Sequence, residues 1–151
     1  MEYRTATFLG WHPSDRSMLI ATRFGNTAQI HRVATPMGAR TQMSFEQEPV
    51  ASGSWAPKTA DVMVVEKDVG GSEFYQLYTL KDGQLTLLTD GKSRNQFSTW
   101  SGDGKLIAYS STKRNGTDSD LYVMDPRDPA TARMVVQVEG GGWGISSFAP
   151  D

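Results

Sequence analysis

Short apolar runs recur along the chain, each bounded by polar turn formers, and their order repeats. The runs Met18-Leu19-Ile20-Ala21, Val62-Met63-Val64-Val65 and Leu106-Ile107-Ala108-Tyr109 carry apolar residues at consecutive positions, the pattern of a strand buried on both faces. Each is preceded by a strand ending on a tryptophan, at Trp11, Trp55 and Trp100, and then by a polar turn. Third strands follow at residues 29–33 (QIHRV), 76–80 (QLYTL) and 120–124 (DLYVM), and fourth strands at about 41–45, 85–89 and 134–138. The clearest copy is residues 96–125, in which Ser101-Gly102-Asp103-Gly104 supplies the left-handed positions of a hairpin turn and Lys113-Arg114-Asn115-Gly116 the next turn.

The tryptophan motif recurs as Trp11-His12-Pro13, Trp55-Ala56-Pro57, Trp100-Ser101-Gly102 and Phe148-Ala149-Pro150, at spacings of 44, 45 and 48 residues. A four-stranded unit with that period predicts an all-β fold of the β-propeller type, with antiparallel blades at about 1–47, 48–92 and 93–138. Residues 139–151 then read as a glycine-rich link followed by the inner strand of a fourth blade at residues 145–148, the chain stopping where its turn begins. Two turns stand out. Residues 58–61 (KTAD) have the poorest turn chemistry and predict a looser hairpin, whereas Lys81-Asp82-Gly83-Gln84 is a clean Asp-Gly turn. The three tryptophans are expected in the core, with their indole N–H groups partnered.

Composition sharpens this reading at a few points. Glycine is 15 of 151 residues, above the roughly 7% average, as a fold needing several tight turns per blade requires. The net charge of −2, with no basic run, argues against a nucleic-acid surface. With no cysteines there is no disulfide or thiolate metal site. No apolar run approaches the roughly 18 residues that span a bilayer, so neither nucleic acid nor membrane is an expected partner. A propeller closes with about 4 to 8 blades, so three and a fraction predict two open blade faces. The expectation is a piece of a longer protein, or self-association through those faces.

Candidate chemistry is sparse. A catalytic triad needs a histidine, and only His12 and His31 are present. His31 aligns with Tyr78 and Tyr122 in the third strands and reads as a packed strand residue, and His12 lies in a turn with no nucleophile signature. Asn115, Asp118 and Asp120 crowd oxygens into six residues but lack the calcium-loop spacing, and turn chemistry explains them. No metal or other cofactor is expected. The turn at Asp103-Gly104 lacks the flanks of a sialidase Asp-box.

The Trp-Ser-x-Asp-Gly-Lys repeat followed by Leu121-Tyr122-Val123-Met124-Asp125 resembles the propeller repeat of TolB-like proteins and of the N-terminal domains of the prolyl oligopeptidase family of serine peptidases. Residues 8–13 (FLGWHP), 18–26 (MLIATRFGN), 67–78 (KDVGGSEFYQLY), 87–95 (LLTDGKSRN) and 140–144 (GGGWG) are most similar to the acylaminoacyl-peptidase or dipeptidyl-peptidase branch. That resemblance implies a propeller capping an α/β-hydrolase domain and restricting access to peptide substrates. The family's G-x-S-x-G elbow is missing: between Gly140 and Gly144 stands Gly142 where the serine belongs. No catalytic residue is therefore assigned to this chain. The alternative is a TolB-like interaction scaffold with no enzyme attached.

In an up-and-down blade, the loops between strands two and three share one end with the links between blades. That end gathers Arg23, Asp68, Glu73, Arg94, Asn95 and Arg114, the expected substrate-binding set. Asn26, Lys113 and Asp118 lie there too. In related peptidases propeller loops hold a peptide terminus by charge, and Glu73, after the Gly70-Gly71 hinge, is the acid to test first.

Overall fold

A computed structural model describes residues 5–50 and 52–150 of the chain. Twelve strands form three four-stranded antiparallel sheets among these residues, with no helix. The first sheet comprises β1 (Ala6–Trp11), β2 (Met18–Arg23), β3 (Ala28–Val33) and β4 (Arg40–Gln42) in that order. The second comprises β5 (Ser52–Trp55), β6 (Met63–Lys67), β7 (Gln76–Lys81) and β8 (Gln84–Leu87). The third comprises β9 (Asn95–Trp100), β10 (Ile107–Ser111), β11 (Asp120–Asp125) and β12 (Asp128–Val136). This is a partial β-propeller, each sheet a blade.

Side chains alternate across a strand, and β6 shows what the consecutive apolar positions are for. Met63 and Val65 pack with Leu19, Ile30 and Val50 of the first blade and its link. Val64 faces the other way, into a cluster with Leu77, Ile107, Tyr109 and Met124 of the second and third blades. The middle blade is thus apolar on both faces. The outer two each have one face that packs on no further blade among the described residues.

The first turn of every blade closes with one equivalent bond: His12 N donates to Ser17 O (2.8 Å), Ala56 N to Val62 O (2.9 Å) and Ser101 N to Leu106 O (2.8 Å). The KTAD turn holds two non-glycine residues in the left-handed region, Lys58 (φ 69°) and Ala60 (φ 49°), and its connection is one residue longer than the others. Asp82 (φ 50°) and Gly83 (φ 78°) make the two-residue turn that the Asp-Gly pair demands.

Each blade is also tied to the link that follows it by a buried polar residue near the start of its third strand, with Gln29, Gln76 and Asp120 in equivalent places. Gln29 Oε1 accepts from Ser44 Oγ (2.7 Å) and Glu46 N, while Nε2 donates to Glu46 O and Glu48 O. Gln76 Oε1 accepts from Thr89 Oγ1 (2.7 Å), Gly91 N and Asn95 Nδ2, while Nε2 donates to Phe74 O and Ser93 O. Asp120 accepts from Arg114 and from Val138 N.

Four sequence expectations change. Trp11 is 65% exposed, because the face it sits on has no neighbouring blade; Trp55 and Trp100, at the same position, pack into the two inter-blade cores. Their Nε1 groups are buried without a hydrogen-bond partner among the described residues, so the expected N–H bonds are not made. The last strand begins at Asp128, well before the predicted 134, because Pro126 and Arg127 form a two-residue turn in which Asp125 pairs with Asp128. Pro129 is tolerated there since β12 is an edge strand. Residues 145–148 form no strand, since no described segment offers a ladder to pair with. The segment instead lies beside the third blade, sharing clefts with Phe97 and Ser110 at one end and Leu106 at the other. Asp151 lies outside the described residues.

Carboxylates hold the turns together and set the acid limit of the fold. Arg127 donates to both Asp61 oxygens (2.8 and 2.7 Å), joining the second blade to the third, and holds that carboxyl far below its ordinary value. Hydrogen bonds from Ser17 lower Asp15, and the Arg114 guanidinium lowers Asp120. A carboxylate with a depressed folded value binds fewer protons in the folded than in the unfolded state. Its contribution is therefore complete above the unfolded value of about 3.9 and is lost as pH falls through the folded one. The urea midpoint is expected to be lower at pH 3 than at pH 7, and Asp61→Asn to flatten that dependence; an unchanged pH profile in the variant would show the Arg127 pair to be idle.

Candidate functional site

The loop end of the blades is built by the latches just described. Asn95 N donates to Tyr75 O (3.0 Å) and Thr112 N to Arg94 O (3.0 Å), so the second-blade loop, the link and the third-blade loop are bonded in series. Between the second and third blades this leaves an open cleft of about 410 Å³ lined by Glu66, Glu73, Tyr75, Arg94, Asn95 and Gln96. Three of the six predicted binding residues, Glu73, Arg94 and Asn95, meet there.

Their roles differ. Asn95 is buried, and its Nδ2 donates to Tyr75 O, Gln76 Oε1 and Ser93 O at 2.9–3.1 Å, which leaves it a wall residue. Arg94 is anchored through its backbone N–H to Thr112 Oγ1 (3.0 Å), and its guanidinium lies 5.2 Å from the Phe74 ring centre, a cation–π contact. Glu73 sits at φ 59°, after Gly70 (φ 65°) and Gly71 (φ 71°), and its N–H donates to Asp68 Oδ2 (3.1 Å). Asp68 therefore shapes the loop and does not line the cleft. The Glu73 carboxylate makes no hydrogen bond or ion pair among the described residues.

The other two predicted residues lie elsewhere. Arg23 is on the first blade, donating to Gly25 O (3.1 Å). Arg114 is consumed by the third blade: it donates to Asp120 Oδ2 (2.6 Å), Asp118 Oδ2 (3.0 Å) and Val138 O (3.0 Å). That guanidinium takes the place a cation would have beside Asn115, Asp118 and Asp120. Asp118 is held below the ordinary carboxylate range first by the Gly140 N–H, and then by Asn115 and Arg114.

Sequence reasoning missed Glu66. Its Oε1 accepts from Phe97 N (2.6 Å) on the next blade and its Oε2 from Ser52 Oγ (2.9 Å), so it binds two blades while lining the cleft. An acid inside the apolar run of β6 was the available signal. Nearby, Lys67 bridges Glu46 (3.3 Å) and Glu48 (3.1 Å) on the link behind it. Burial pushes the lysine down, but the hydrogen bonds it donates to Glu48 and Glu46 raise it further, and Glu48 is lowered in turn. With Glu66 and Glu73 against Arg94, the cleft carries a net negative charge.

No protein-family model matches the chain, and no curated protein matches it. Among solved structures it is similar to the crystal structure of TolB from Acinetobacter baumannii, with a TM-score of 0.66 and 20% identity over 93% of this chain and 33% of that one. The chain therefore spans about a third of the length of that protein. The likeness is one of fold. No helix among the described residues is long and apolar enough to cross a membrane.

Proposed function

We propose that this chain is a non-catalytic β-propeller scaffold that holds a peptide or protein segment at its loop end. The observation that carries this reading is the Glu73 carboxylate, unpaired among the described residues in an acidic cleft where Glu66 and Asn95 are fastened by hydrogen bonds. An unpaired acid on a rigid frame is a docking point for a cation. The charge of the cleft favours an amino terminus or a basic side chain.

A narrower reading is favoured by the strings at residues 8–13, 67–78 and 140–144, which resemble the prolyl oligopeptidase family. On it, the chain is the propeller segment of a serine peptidase, restricting peptide access and docking an α/β-hydrolase domain. The acidic cleft suits that role, since a filter that orients peptides by their amino terminus needs an acid at its mouth. Chemistry would then belong to the hydrolase domain, and the chain alone turns over no peptide.

Titration calorimetry with a short peptide amide tests both. A free amino terminus is expected to bind at least about tenfold more tightly than its acetylated form, from one charge-assisted hydrogen bond, with Glu73→Gln removing the difference. Equal binding of the two forms would overturn the assignment of the cleft. Serine-dependent turnover surviving repurification would overturn the non-catalytic role.

A further inference from the structure

The second and third blades each border a cleft at the loop end, and the two clefts differ in chemistry. In the second strand of each blade, Glu66 pairs with Leu77 where Ser110 pairs with Leu121, so a serine stands where the acidic cleft has its glutamate. Beside Ser110 lies a cleft of about 460 Å³, within the range of small-molecule sites. One wall is the third blade, from Gln96 to Ser98 with Ser110 and Ser119, and the other is the segment 142–146. This chain therefore builds both walls, and only Gln96 is shared with the acidic cleft.

No residue lining this cleft is charged. It is lined instead by Ser98, Ser110, Ser119, Ser146 and Gln96, and none of these five side chains makes a hydrogen bond among the described residues. Ser110 is only 7% exposed, and a polar group so far removed from water calls for a partner. Trp143 is 59% exposed and its ring makes no aromatic or cation–π contact among the described residues. A Cβ added at Gly142 or Gly144, on either side of it, would meet nothing within 4 Å. The indole therefore stands in open space beside a row of unspent hydroxyls.

We infer that this cleft is a binding site for an uncharged pyranose sugar, with one face of the sugar ring packed on the Trp143 indole and its hydroxyls bonded to Ser98, Ser110, Ser119 and Gln96. The C–H bonds on a pyranose face carry partial positive charge and meet the negative face of an aromatic ring. Each sugar hydroxyl both donates and accepts, as a serine hydroxyl does, and the glutamine amide supplies both functions as well. A phosphorylated or carboxylated ligand would find no cation in the wall, and an alkyl chain would bury the hydroxyls unsatisfied. The reading is independent of the assignment of the acidic cleft.

The test titrates the chain with methyl β-D-glucopyranoside, methyl α-D-mannopyranoside and methyl β-D-galactopyranoside, read by calorimetry and tryptophan fluorescence, with adenosine and the uronate of each sugar as comparators. One of the neutral glycosides is expected to bind saturably, with roughly millimolar affinity for so small a ligand, and at least about tenfold more tightly than its own uronate. Trp143→Ala is expected to keep the thermal midpoint, since residues 142–146 form no strand, while weakening binding at least about tenfold and removing the fluorescence change. Ser110→Ala, on the opposite wall, serves as a second variant and is expected to weaken binding about three- to tenfold. A disaccharide that binds more tightly than the methyl glycoside of its terminal sugar would assign the site to the end of a glycan, and equal binding to a single free sugar. No saturable binding of any of the three glycosides, a uronate or adenosine binding as tightly as the best of them, or full binding in Trp143→Ala would each overturn the assignment.

Discussion

Replacing Gly104 by alanine is expected to destabilise the fold by roughly 2–5 kcal/mol, the sum of a left-handed alanine and an overpacked contact. Gly104 ends the first turn of the third blade at φ 73°, and a Cβ there would stand 2.4 Å from the carbonyl oxygen of Pro57. Pro57 belongs to the corresponding turn of the second blade, so the obstacle is backbone that cannot rotate away. Arg127 reinforces the same junction by donating to both Gly104 O (3.2 Å) and Asp61. Gly102, two residues earlier, would meet nothing within 4 Å, and Gly102→Ala is expected to stay within about 0.5 kcal/mol of the parent. Urea unfolding followed by tryptophan fluorescence separates the two. Equal losses in both variants would mean that the turns of adjacent blades do not touch.

Gln76→Leu is the second large effect, expected at roughly 3 kcal/mol although leucine is close to glutamine in size. Gln76 is 3% exposed and satisfies Thr89, Gly91 and Asn95 with its oxygen and Phe74 and Ser93 with its nitrogen. A leucine leaves those groups in place with nothing to bond, and each buried unsatisfied group costs about 1–3 kcal/mol before relaxation. Because the partners lie on the link into the third blade, amide exchange is expected to rise first over residues 88–95. If protection were lost uniformly, the latch would be an ordinary core residue and not the fastener between blades.

The repeat was legible because blades are built from local rules. Alternation within a strand, the apolar run at each second strand and the turn residues after each tryptophan are all properties of a few neighbouring positions. They located three units and their twelve strands. Where the prediction slipped, strand pairing was what decided. The strand expected at about 134 begins at Asp128 because Asp125 pairs with Asp128 across the Pro126-Arg127 turn. At residues 145–148 the local pattern is that of a strand, but a strand exists only with a ladder beside it.

The candidate sites divide the same way. Loop topology alone placed Glu73, Arg94 and Asn95 at one end of the blades, since the direction of each strand follows from the count of those before it. Whether each side chain is free was decided by partners on other strands and links: Arg114 is taken by Asp120 and Val138, Asn95 by Gln76, and Glu66 is drawn into the cleft by Phe97. His31 reads as a packed strand residue, and it is one. What its ring meets depends on what surrounds it, and that is the Phe24 ring at 5.4 Å. The same holds for Trp11, identical in motif to Trp55 and Trp100 yet exposed. By itself the sequence determined the kind of unit, its number and its turns, because those are set by short-range backbone preference and alternation. Only the stacking of one sheet on the next decided which equivalent residues are buried, which charges are spent and which remain to bind, because burial and pairing depend on the neighbour a residue meets across space.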